Sequence, residues 1–299
     1  MFAQKHIVVL IDPAEESALA VRKASRLARI DKARLTLFAS GYNATLASNH
    51  PLNPDTADQA KDAYMRRLME GLETIADIAR NDGVEVTTKG VWDKHAGPAL
   101  MNFIEEEPVD MVVKATHHQN VIQRTFFSQT DWELIRHCPV PLLLTKANAW
   151  NDPIRLTAAV DPVQANDKPD TLDEHIVRWG KDFATHLGGR LELLHVYDPT
   201  PLLIYLDQPT IDSADISEEI REQHEQALAK LAQDHDIPKD QTVLETGSTL
   251  SVIPEHLHQT NTDMVIMGAV ARSGLERWLL GHTAEKILDR ITVDILIVK

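Results

Sequence analysis

The sequence is short of cysteine, of positive charge and of long apolar runs. Cys138 is the one cysteine in 299 residues. That excludes a disulfide framework and any C-x-x-C pair for zinc or redox work. No apolar run approaches the length that crosses a bilayer, so no membrane partner is expected. The opening MFAQKHIVVLID lacks the extended apolar region of a secretory leader, and the expected location is cytoplasmic. Thirty basic residues face 45 acidic ones, a net charge of −15. A nucleic-acid backbone needs a basic patch, so nucleic acid is not expected as a partner. The phosphate-handling signature G-x-x-x-x-G-K-[ST] is missing, as are H-x-G-H and S-G-G-x-D loops. No Ser/His/Asp set or carboxylate pair can be assigned from spacing, so no catalytic residue is named.

What is present is an ordinary globular composition, 43% apolar and 25% charged, at a length that suits two domains. The chain also repeats itself. HIVVLIDPAEES (6–17) and RLTAAVDPVQAN (155–166) each run an apolar strand into Asp-Pro. ARLTLFAS (33–40) matches GRLELLHV (189–196), DMVVKATH (110–117) matches DMVIMGAV (263–270), and PVPLLLTK (139–146) matches TVDILIVK (292–299). The period is too long for a solenoid, so these are duplicated domains, expected at 1–147 and 153–299. Their charges differ. Up to residue 149 there are 17 basic and 19 acidic residues (17 − 19 = −2), leaving 13 and 26 for the remainder (13 − 26 = −13).

Within each copy, short Val/Ile/Leu-rich segments with weak alternation read as strands buried on both faces. In the first copy they lie at 7–12, 34–40, 110–115 and 141–145, with a third strand of the copy expected at 84–91 and its counterpart at 242–246. Ala20, Ala24, Leu27 and Ala28 recur at helical spacing, as do Ile176, Trp179, Phe183 and Leu187. Met65, Leu68, Leu72 and Ile75 mark a second helix, matched by the acidic 216–235 segment. Strands alternating with helices imply an α/β fold, a five-stranded parallel doubly wound sheet in each copy. Ligands of such sheets lie beyond the carboxyl ends of the strands, where strand order reverses.

Several strand ends carry candidate chemistry. Asp12 and Asp161 each follow a first strand, where a carboxylate suits an adenine amino group or a ribose hydroxyl; an Asp-Pro turn capping the next helix is the structural alternative. In the second copy the fourth strand runs into MGAVARSGLERWLLGHTAEKIL (267–288). A glycine-bearing approach to a helix start offers an anion free N–H groups and the positive dipole end, with Arg272 as added cation. His117 and His118 point opposite ways in extended chain, so both rarely ligate one metal, and no metal is assigned. Leu202 to Leu206, apolar throughout in a connecting segment, expect a cover: either a neighbouring domain or an apolar ligand.

The G-x-x-x-x9-G-x-T run followed by Ala-Glu-Lys, the strand beginning Asp-Met-Val, and the endings RITVDILIVK and HCPVPLLLTK together resemble the universal stress protein family in its tandem two-domain form. The resemblance implies an adenine-nucleotide α-hydrolase-like fold with strand order 3-2-1-4-5, and ATP as a ligand of some members. Carried onto the second copy, its binding positions are Asp161, Val196, Met267, Gly268, Ala271, Gly281, His282 and Thr283. Ala271 stands where the family has a second glycine, and its Cβ restricts φ > 0. His282 stands where the family has Ser or Thr, which leaves Thr283 to cap the helix. In the first copy Ala115, His118 and Ser128 replace the glycines, and Thr130-x-x-Glu133 reads as a capping box, so that site is expected to be structural. The function implied is a stress-response regulatory protein binding a nucleotide or other small anion in the second copy. The alternatives are an interaction module with vestigial sites, or a slow ATPase. Single-copy members of the family dimerise, so two fused copies are expected to act as a pseudo-dimer, with a homodimer of the chain as the further assembly.

Overall fold

His6–Leu10 and Met111–Ala115 are buried along their whole length, which is why Ile7–Leu10 and Met111–Val113 are apolar without alternation. The computed structural model describes residues 5–12, 17–48, 53–116, 127–163, 171–200, 213–271, 278–279 and 286–299. The described residues fall into two units that divide between Ala147 and Asn148.

The first unit runs β1 (His6–Leu10), α1 (Ala18–Asp31), β2 (Arg34–Gly41), the single turn α2 (Ala44–Ala47), α3 (Pro54–Asn81), β3 (Val86–Trp92), α4 (Ala96–Glu106), β4 (Met111–Ala115), α5 (Gln129–His137) and β5 (Leu142–Thr145). Its strands are parallel, in the order β3-β2-β1-β4-β5. The order reverses beside β1, whose Ile7–Leu10 pair with Met111–Lys114 on one side and Leu35–Phe38 on the other. Ala20, Ala24, Leu27 and Ala28 of α1 are buried, as their spacing predicts. The second helix is longer than its apolar stripe alone indicates: α3 has 28 residues and starts at an Asn53 side chain that accepts from the Thr56 N–H at 2.8 Å.

The second unit repeats the pattern with β6 (Arg155–Val160), α6 (Leu172–Leu187), β7 (Arg190–Tyr197), α7 (Ser213–Asp234), β8 (Thr242–Thr246), α8 (Thr249–Gln259), β9 (Met264–Gly268) and β12 (Asp294–Val298). Its parallel order is β8-β7-β6-β9-β12, again 3-2-1-4-5 counted within the copy. Ile176, Trp179, Phe183 and Leu187 are the buried face of α6. That helix ends at Gly188, whose φ of 64° is the left-handed cap that glycine adopts without steric cost. One pair of elements was not expected from the sequence. Directly after β9, β10 (Val270–Ala271) pairs antiparallel with β11 (Trp278–Leu279).

Candidate functional site

Asp161 follows β6 immediately, at the place where strand order reverses in the second unit. It does not cap the next helix: the cap position of α6 is Thr171. Instead the Asp161 N–H donates to Asp173 Oδ1 in the first turn of α6 at 3.2 Å. Its carboxylate is 41% exposed and lies 3.9 Å from Nδ1 of His195, a side chain that is only 1% exposed. Val196 and Met267 are buried on β7 and β9, and Gly268 ends β9, so these family positions gather around adjacent strand ends.

His195 has no role in the sequence reading above, yet it organises this end of the sheet. Its Nδ1 lies 3.1 Å from the Val160 carbonyl, which accepts only, so Nδ1 carries the proton. Nε2 then accepts from Nδ1 of His224 on α7 at 2.7 Å. The His224 ring stacks on His195 and on Tyr197, with centroids 4.9 and 4.4 Å apart. Burial holds both imidazoles below the usual histidine range, and Asp161 pulls in the opposite direction. A histidine inside LLHVY, the apolar and fully buried end of β7, was the signal available in the sequence: a polar group buried there must find partners.

At Gly268 the close approach is made by the protein itself. A Cβ built there would stand 2.7 Å from Leu172 Cδ2. The strand end therefore needs glycine for helix α6, a packing reason separate from ligand access. Ala271 sits in the β10–β11 ribbon, opposite Trp278. Arg272, Gly281, His282 and Thr283, along with His117, His118 and the 202–206 run, lie outside the described residues.

The other face of β7 carries a second histidine site. His256 of α8 has Nε2 2.5 Å from Glu192 Oε1 and Nδ1 3.8 Å from Glu245 Oε1. The bond to Glu192 raises its pKa above the usual histidine value. Between α7 and β8 there is also a groove of about 580 Å³, floored by Leu228, Ile237 and Leu244.

In the first unit the corresponding strand ends surround a cavity of about 430 Å³. The α5 cap beneath it differs from the Thr130/Glu133 box read from the sequence. Ser128 is the cap residue, its Oγ accepting from the Asp131 N–H at 3.1 Å while its own N–H donates to Asp131 Oδ2 at 2.7 Å. The box starts two residues earlier because Asp131, fully buried, also meets Lys114 Nζ at 2.9 Å. Lys114 occupies the position that Met267 holds in the second copy. Among the described residues, no group of three or more His, Cys, Asp or Glu side chains is placed to hold a metal ion. No described helix is long and apolar enough to cross a membrane.

The profile of the Universal stress protein family matches residues 4–146 and again 163–299. A "Universal stress protein E homolog" of Haemophilus influenzae is 27% identical over 99% of this chain and 97% of its own length. "Universal stress protein E" of Escherichia coli K12 is 26% identical over 100% of this chain and 95% of its own. Among solved structures, a functionally unknown protein of Pseudomonas aeruginosa PAO1 superposes with a TM-score of 0.74 at 22% identity, covering 100% of this chain and 93% of that one. A universal stress protein of Archaeoglobus fulgidus gives 0.70 at 13% identity, covering 98% of each chain.

Proposed function

Because the chain belongs to the universal stress protein family, with two family domains in tandem, we propose that it is a cytoplasmic stress-response binding protein. Its second copy takes an adenine nucleotide such as ATP, or another small anionic ligand, over the carboxyl ends of β6, β7 and β9. The observation that carries this reading is the Asp161 carboxylate. It is part-exposed at the switch point, with its backbone held by Asp173 and a buried imidazole behind it. Val196 and Met267 form the apolar side of the same strand ends, where a base would lie. Arg272, Gly281, His282 and Thr283 are the phosphate side by family resemblance.

Binding, rather than turnover, is the activity proposed, since no nucleophile or paired acid and base is assigned. Titration calorimetry of the purified chain with ATP tests it. Saturable heat that disappears in Asp161→Ala and Gly281→Val is the expected result. Absence of binding at millimolar ATP, with neither variant altering anything, removes the nucleotide. The packing of Leu172 against Gly268 would then favour the second reading, an interaction module whose fused copies act as a pseudo-dimer. ATP hydrolysis lost in Gly281→Val would instead make it a slow ATPase.

A further inference from the structure

Two imidazoles stand behind the carboxylate on which the nucleotide reading rests. His195 Nδ1 is 3.9 Å from Asp161 Oδ1, and His195 Nε2 is joined to His224 Nδ1 at 2.7 Å. The chain Asp161–His195–His224 runs from the strand switch point, through a side chain that is 1% exposed, to a half-buried ring on α7. With both rings neutral, Nδ1 of His195 donates to the Val160 carbonyl and Nε2 accepts from His224. A proton added at His224 Nε2 keeps both of these bonds. A second proton would turn His195 Nε2 into a donor facing the His224 donor. The pair is built to hold one positive charge.

Its surroundings decide when that charge is held. Facing the pair are two carboxylates, Asp161 at the end of β6 and Asp173 on α6. Tyr197 of β7 stacks on His224, and β8 brings Leu244, the register partner of His195. On α7 the neighbouring cation, Arg221, is paired with Glu218 and Glu225. Desolvation favours the uncharged pair, and Asp161 favours the charged one. An anion arriving over Asp161 adds to the side of the proton. Before the proton arrives the anion meets a carboxylate; afterwards that carboxylate is offset by a cation held behind it.

We propose that the second copy binds its nucleotide together with a proton, taken up by the His195–His224 pair and held as a counter-charge to Asp161. This rests on the nucleotide reading and adds its regulation: affinity rises as pH falls through the range in which the pair becomes charged. The linkage is reciprocal, so bound nucleotide strengthens proton binding by the same factor.

Titration calorimetry of the full chain with ATP at pH 6 and pH 8, each in two buffers of different ionisation heat, counts the protons taken up. Between pH 8 and pH 6 the wild-type affinity gains at least about threefold over that of His224→Gln. Wild type also takes up more protons for each ATP bound. The variant keeps an amide donor for His195 Nε2, and protons exchanged by ATP itself cancel between the two proteins. A second readout uses wild type alone: at pH 6.5 the assigned imidazole signals of His195 and His224 move toward their protonated positions when ATP is added. ATP binding with the same pH dependence in folded His224→Gln, or with those signals unmoved, overturns the proposal and leaves the nucleotide reading standing. No ATP binding at millimolar concentration at either pH removes both.

Discussion

His195 and His224 share one hydrogen bond of 2.7 Å, between Nε2 on β7 and Nδ1 on α7. The bond is made by two neutral rings or by one neutral and one protonated ring; two protonated rings would face each other with donors only.

Both rings are held below the usual histidine range, so the sign of their pH effect follows. With folded pKa values below an unfolded value of about 6.5, the unfolded chain takes up protons first as the solution is acidified. Their contribution is fully present above about pH 6.5 and is lost as pH falls through the folded values. Urea unfolding at pH 7.5 and pH 5.5 measures it. The wild type loses more stability between the two than the His195→Gln/His224→Gln double variant.

His256 behaves in the opposite sense. Glu192 raises its pKa, so its stabilising bond is complete below about pH 6.5 and is lost as pH rises through the folded value. His256→Gln is expected to cost about 1.5–3 kcal/mol near pH 6, the range for hydrogen bonds to charged groups. The cost shrinks in alkaline solution. A gap that is the same at pH 6 and pH 9 by urea unfolding would show that His256 contributes through packing alone.

Lys114 and Asp131 are a buried ion pair, 1% and 0% exposed. Lys114→Met places the second copy's residue there but strands a buried carboxylate, and about 3–5 kcal/mol of stability is expected to be lost. Adding Asp131→Asn removes the stranded charge and restores a substantial part of it. Chemical denaturation of both variants checks the ordering.

The groove between α7 and β8 is a place where added volume meets open space. Ala229→Leu on its α7 wall is expected to stabilise by about 0.5–1 kcal/mol, read as a higher denaturation midpoint with an unchanged slope. A lower midpoint would mean that the groove cannot accept the side chain.

Most of the fold was legible because it rests on periodicity. Continuous apolar runs gave the buried strands, and the helix faces at Ala20–Ala28 and Ile176–Leu187 are buried where their spacing put them. Duplication supplied the rest, since each weak segment could be checked against its counterpart: the strand at 242–246 has those bounds, while that expected at 84–91 runs 86–92. The candidate site was less legible. Asp161 was found by its position after a strand, but His195 and His224 are 29 residues apart and meet only because α7 packs back onto β7. Gly268 looked like ligand access and is also occupied by Leu172. The true cap of α5 depended on Asp131 meeting Lys114, a contact across the fold that no local pattern reports.

The segment that follows the first copy has partners of its own. Trp150 Nε1 donates to Asp294 Oδ2 at 2.7 Å, and the backbone and side-chain N–H groups of Asn151 both donate to Asp263 Oδ1. Asp263 and Asp294 stand at the starts of β9 and β12, so residues 150 and 151 serve as a clasp across the amino ends of two strands. A fragment cut at residue 153 therefore exposes two acidic strand starts that the natural chain keeps covered, while one cut at 148 carries its clasp with it. For anyone grafting this copy into another protein, the transferable piece begins with the tryptophan.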